Sequence, residues 1–193
     1  MTTAASPMIE ALFARRSANA RMLASPGPDE AQLNQIVEAA SRAPDHGRLV
    51  PFRFFAIADA GRDRLADVLG AATAEATPGL PPEEIERARE KAYQGPCLIG
   101  IVARIDAQHP KIPASDQWLT VGCALENLLL AAQSLGFGAA VRSGRFLETH
   151  AIRDGFSLGP NEHLVSIVAL GTAKDWPPAK PKPALADVLS VWG

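Results

Sequence analysis

Three short clusters in this 193-residue chain bring cationic and hydroxyl side chains together. Arg15-Arg16-Ser17 sets two guanidinium forks beside a hydroxyl, a combination suited to an oxyanion or a phosphate. The competing structural account is a solvated helix end, with arginine at the favourable pole of the helix dipole. Arg42 and His46 flank a proline turn, where ordinary turn chemistry with an exposed histidine is the alternative. Arg142-Ser143-Gly144 offers a third arginine, a hydroxyl and a backbone N–H to a phosphate or to the polar edge of a ring.

The remaining motifs exclude more than they suggest. There is no Gly-x-Ser-x-Gly elbow and no phosphate-binding lysine loop. No Cys-x-x-Cys pair, His-x-x-x-His pair or Cys/His cluster offers a metal site. The carboxylates form no evident acid/base pair, so no catalytic side chain is expected. Gly136-Phe137-Gly138 looks like a fragment of a glycine-rich loop. It precedes a strand instead of following one, which is the behaviour of a turn that ends a helix. Trp118, Trp176 and Trp192 read as packing anchors.

These clusters need elements to position them. Apolar residues at Ile9, Leu12 and Phe13 predict a short helix over 7–16, ending in the first arginines. Asp29 and Glu30 suit the start of a second helix, whose apolar face is Leu33, Ile36, Val37 and Ala40; Pro44 breaks it. A strand is expected over 52–58, a helix over 61–76, a proline-rich loop over 77–82 and a helix over 83–92. Cys97–Ala103 reads as a buried strand and 106–113 as a loop. Residues 115–135 form the longest predicted helix. It is apolar on most of its surface, so it should be buried against another helix or another subunit. A short strand over 139–141, a helix over 148–156 and a strand over 163–170, closed by Gly171-Thr172, complete the order. Helices and strands alternate without a regular βαβ period, which suggests an α+β fold. One domain is expected, with 173–193 an extended C-terminal arm. Its prolines at 177, 178, 181 and 183 forbid helix over 176–183, and its apolar end needs a surface to cover it.

Composition agrees with one compact core: 47% of residues are hydrophobic. A formal charge of −2 gives no general affinity for nucleic acid or anionic membranes. The N-terminus carries neither a basic stretch nor an apolar stretch of a secretion signal, and no apolar run is long enough to span a bilayer. A cytoplasmic protein is expected, with Cys97 and Cys123 as buried free thiols.

Taken in order, these residues resemble the compact branch of the FMN-dependent nitroreductases. The resemblance runs over about residues 8–172. It rests on Arg15-Arg16-Ser17 after the first helix and Arg42-Ala43-Pro44-Asp45-His46 after the second. Pro51–Ile57, Lys111-Ile112-Pro113, Gly122-Cys123-Ala124, Gly136-Phe137-Gly138, Arg142-Ser143-Gly144 and Leu170-Gly171-Thr172 follow. It implies a mixed, mostly antiparallel central sheet covered by helices, in an intertwined homodimer with two FMN sites at the subunit interface. By position, Arg15, Arg16, Ser17, Val141, Arg142 and Ser143 would hold FMN from one subunit. Arg42 and His46 would reach it from the other. Ala131, Ala132, Gln133, Ser134, Leu135 and Gly136 correspond to a stretch linked with the nicotinamide cofactor.

The activity so implied is an NADPH- or NADH-dependent oxidoreductase. It would reduce a small-molecule electron acceptor, such as a nitroaromatic or a quinone, by a ping-pong hydride mechanism. Flavin chemistry needs no acid/base triad from the protein, in keeping with the lack of one here. A different redox reaction on the same flavin fold, a non-enzymatic flavin-binding protein and a cofactor-free interaction module stay open. Three departures bear on the acceptor: Val141 replaces a tryptophan of the branch, Phe52-Arg53 a Trp-His pair and Val50 a glutamine.

Overall fold

The computed structural model describes residues 6–179 and 181–193. The reading of the extreme N-terminus therefore falls partly outside the described residues. The element order is α1 (Pro7–Ala14), β1 (Leu23–Ala24), α2 (Glu30–Ala40), β2 (Phe52–Ala56), α3 (Arg62–Ala76) and α4 (Pro82–Arg89). It continues with β3 (Cys97–Arg104), α5 (Ala114–Ser134), β4 (Gly138–Arg142), α6 (His150–Gly155), β5 (Glu162–Ala173) and α7 (Leu185–Val188).

The sheet is organised around β3 and β5. β3 pairs with β2 on one edge and with β5 on the other. β5 also pairs with β4 and, at its C-terminal end, with the two-residue β1, and every ladder is antiparallel. Both faces of β3 are buried, which explains its unbroken apolar run. Ile99, Ile101 and Ala103 enter a core layer with α2 and α5, while Leu98 and Val102 enter a second layer with α3 and α6. The result is a sheet covered by helices on both faces, the α+β arrangement expected. Among the described residues, no helix is long and apolar enough to cross a membrane.

Helix ends follow local chemistry. Asp29 caps α2 in a reciprocal pair with Gln32, each side chain accepting from the other residue's backbone N–H. α5 ends in a glycine turn: Gly136 has φ +86°, and the N–H groups of Gly136 and Phe137 donate to the carbonyls of Gln133 and Ala132.

Several expectations need correction. The predicted helix over 148–156 is a 3₁₀ turn (Arg145–Glu148) followed by α6, because Thr149 caps α6 by accepting from the N–H of Ile152. The helix over 83–92 likewise divides into α4 and a 3₁₀ turn, Glu90–Tyr93. β5 runs past Gly171-Thr172 to Ala173, where β1 pairs with it. Both cysteines are free, but Cys123 is exposed and Cys97 only partly buried.

α5 packs one face into the core and presents the other. Trp118, Leu119, Gly122 and Cys123 lie exposed along it at helical spacing. α1 has no buried residue and exposes Phe13. The chain beyond Ala173 has no regular structure among its described residues until the single turn α7. There Leu185, Val188, Leu189, Val191 and Trp192 are all exposed.

Candidate active site

α1 stops at Ala14 because Arg15 adopts an extended backbone. The chain then runs along the free edge of β4. The N–H of Arg16 donates to Gln133 Oε1 at the end of α5 (3.0 Å), and the N–H of Ala18 donates to the Ala139 carbonyl (2.8 Å). Gly138 permits this approach: a Cβ there would lie 2.9 Å from side-chain atoms of Leu23 and Ala173 and 3.1 Å from Ala18.

Between this segment and the C-terminal arm lies a cavity of about 560 Å³. Arg15, Arg16, Ser17 and Asn19 line one wall, and Pro177, Pro178 and Lys182 the other. The Arg15 Nε lies 3.2 Å from Glu126 Oε1. Arg16 has no carboxylate partner among the described residues; its guanidinium stands 5.1 Å from the centre of the Trp176 ring. A cation stacked on an aromatic face, beside a hydroxyl and an ammonium, is a donor set built for an anion.

β4 meets the Arg15–Ala18 segment near its start, where the Ala139 carbonyl accepts from Ala18. Alternation along the strand sends Ala139 to the α5 layer and Ala140 to the α3 layer, so Arg142 follows Ala140. Its guanidinium donates to the carbonyls of Lys91 and Gln94 and to Gln94 Oε1. Burial, with Arg62 close by, pushes its pKa down to about 10. The guanidinium is thus engaged with the Lys91–Gln94 segment, on the side of the sheet that Ala140 faces. Val141 and Ser143 remain exposed.

Arg42 and His46 lie elsewhere in the same chain. His46 Nδ1 is 2.8 Å from Asp116 Oδ2 in the first turn of α5, and Thr120 Oγ1 donates to the Pro44 carbonyl. Arg42 forms an exposed pair with Glu38. From Asp116 to Gln133 the helix rises by about 25 Å. One copy of the chain therefore holds two half-sets of candidate residues near opposite ends of α5.

The stretch from Ala131 to Gly136 is the glycine turn and the helix end before it. Ala132 is wholly buried, Gln133 is bonded to Arg16, and Ser134 Oγ donates to the Leu130 carbonyl. Ser134, Leu135 and Gly136 are exposed. Sequence reasoning did not single out Lys182, Asn19 or Asp116. Only the tertiary fold brings Lys182 opposite Arg16, whereas Asp116, an acidic residue in the first turn of the longest helix, carried a weak signal.

Known proteins share the sequence pattern and the fold. The sequence pattern described as the Nitroreductase family matches residues 12–172. YdjA of Escherichia coli K12, provisionally named an NAD(P)H nitroreductase, is 36% identical over 164 residues, which is 85% of this chain and 87% of YdjA. Among solved structures, a nitroreductase-like family protein from Bacillus cereus superposes with a TM-score of 0.82 at 19% identity, covering 100% of this chain and 98% of the other. A provisionally assigned nitroreductase from Desulfovibrio desulfuricans, solved in complex with FMN, gives 0.74 at 22% identity, covering 98% and 99%. This chain belongs to the nitroreductase family.

Proposed function

We propose that this protein is an FMN-dependent NAD(P)H oxidoreductase that works as a homodimer in the cytoplasm and reduces nitroaromatic, quinone or related acceptors in a ping-pong cycle. The observation that carries this reading is the cavity at the edge of β4. There Arg16, free of any carboxylate among the described residues, faces the same space as Arg15, Ser17 and Lys182. That donor set fits the phosphate of FMN, the group in the Desulfovibrio desulfuricans structure and in keeping with the NAD(P)H in the name of YdjA.

The residues divide the task. Arg15, Arg16 and Ser17 hold the phosphate by charge-assisted hydrogen bonds, with Lys182 adding a further cation from the arm. Val141, Ser143 and the backbone N–H groups at the end of β4 border the ring. Arg42 and His46 come from the second subunit, because within one chain they lie too far along α5 to take part. Ser134, Leu135 and Gly136 are the accessible part of the nicotinamide stretch. Bound FMN supplies the redox chemistry, taking two electrons as a hydride from NAD(P)H and passing them to the acceptor. The small Val141 leaves room beside the ring and broadens the acceptors admitted. The homodimer also accounts for the exposed apolar surfaces of α1, α5 and the arm.

Freshly purified protein is expected to be yellow with stoichiometric FMN, and the flavin to be bleached rapidly by NADPH or NADH. Arg16→Ala should weaken FMN binding ten- to a hundredfold, as loss of a charge-assisted contact of about 1.5–3 kcal/mol requires. A colourless protein that takes up no FMN, or an Arg16→Ala variant with unchanged flavin affinity, overturns the assignment.

A further inference from the structure

The turn Lys91–Pro96, which leads from α4 into β3, is held by two arginines. Arg62, at the start of α3 and 7% exposed, donates to the carbonyls of Ala92 (2.9 Å), Gly95 (3.0 Å) and Pro96 (3.0 Å). Arg142, at the end of β4, donates to the carbonyls of Lys91 and Gln94 and to the side-chain oxygen of Gln94. The rigid fork of a guanidinium can satisfy several carbonyls at fixed angles, which a lysine cannot do. Arg142 has no carboxylate partner among the described residues, so carbonyl dipoles alone compensate its charge. Both terminal nitrogens, Nη1 and Nη2, are engaged with the turn.

The end of β4 needs such a tether. Its last ladder partner is Ile167, opposite Arg142 itself. Beyond it the chain passes through Ser143 and Gly144, which has φ +133°, into a 3₁₀ turn. A strand end paired on one side only is prone to fray.

We propose, on the flavin-site reading given above, that Arg142 is a positioning residue: its guanidinium locks the end of β4 to the Lys91–Pro96 turn and so fixes the backbone around Ser143 at the flavin ring, leaving the phosphate to Arg15, Arg16 and Ser17. Arg62 clamps the same turn through Ala92, Gly95 and Pro96.

FMN and riboflavin, which differ by the phosphate, separate this role from direct phosphate binding. The full-length protein, freed of flavin, is titrated with each. Arg16→Ala should lose affinity for FMN and keep its affinity for riboflavin. Arg142→Lys keeps the charge and loses the fork; both dissociation constants should rise together by about tenfold, with their ratio unchanged. Backbone amides of residues 91–96 and 142–144 should also exchange faster with solvent. Gln94→Ala removes one acceptor without touching the charge and should give a smaller, equally parallel rise, which serves if Arg142→Lys does not fold. Loss of FMN affinity alone in Arg142→Lys makes Arg142 a phosphate ligand and overturns the proposal, as does unchanged binding of both flavins. Wild-type protein that binds neither flavin fails the site reading itself. The tether then stands or falls on the exchange of residues 91–96 in Arg142→Lys.

Discussion

Two arginine clusters in this protein have opposite characters. At the start of β5, Glu162 gathers its charges inward. Arg53 bonds its carboxylate through Nε (2.7 Å) and Nη2 (3.0 Å), Arg104 adds a contact at 3.2 Å, and the N–H of Gly159 donates at 3.1 Å. The Arg53 hydrogen bond, helped by Gly159 and Arg104, holds the Glu162 carboxyl down at about 2. At the edge of β4, Arg16 has only an aromatic ring beneath it and a cavity in front of it. The first arrangement is complete within one chain. The second, on the proposed flavin-site reading, is completed by the FMN phosphate. Arginine content alone does not separate the two; Arg53 and Arg104 share an internal counter-charge that Arg16 lacks.

That contrast breaks if the two clusters respond alike to mutation. The largest effect is expected from removing the arm. A chain ending at Lys174 keeps the β1–β5 pairing but loses the wall formed by Pro177, Pro178 and Lys182 and the Trp176 ring against Arg16. It should sediment as a weakened dimer and lose most of its flavin on gel filtration. A normal dimer that retains FMN would show that the arm has no part in the site. Next in size is the Arg16→Ala loss described above, which should leave the melting temperature of the flavin-free protein nearly unchanged because no internal counter-charge is orphaned.

Glu162→Gln should behave in the reverse manner. Thermal or urea unfolding should show a loss of about 1–3 kcal/mol, since charged hydrogen bonds are removed and Arg53 loses its counter-charge. FMN affinity should stay as in the wild type. The smallest effect is the pH dependence of that loss. A carboxylate whose folded pKa lies below its unfolded value adds stability above the unfolded value, and this is lost as pH falls towards the folded one. The stability gap between wild type and Glu162→Gln should therefore be constant near neutral pH and close as pH drops from about 4 towards 2. A gap that persists at low pH would mean that packing, not charge, maintains the cluster.

Much of the scaffold was legible in the sequence because its signals are local. The apolar run of Cys97–Ala103 marks a strand buried on both faces, and Gly136 stops α5 as its position suggests. What escaped depends on contacts between distant segments. β1 is two residues long and exists only because Thr172 and Ala173 lie opposite it. Thr149 interrupts a stretch that is otherwise helical in pattern, because its hydroxyl accepts from Ile152 and donates to the Phe146 carbonyl. The site follows the same division. Arg15, Arg16 and Ser17 are visible as residue types at the end of a helix, whereas the direction of Arg142 depends on strand phase. Arg62 gave no sign in the sequence that it would be buried among carbonyls.

The central claim is that each site joins the β4 edge of one subunit to the Arg42–His46 turn of another. Mixed dimers test it directly. Arg16→Ala and His46→Ala proteins, each impaired in FMN retention, are dissociated, mixed in equal amounts and reassociated. Random pairing makes half of the dimers mixed, and each of these carries one intact site, so about a quarter of all sites should regain wild-type FMN affinity. No recovery beyond that of the two parents would contradict a site shared between subunits.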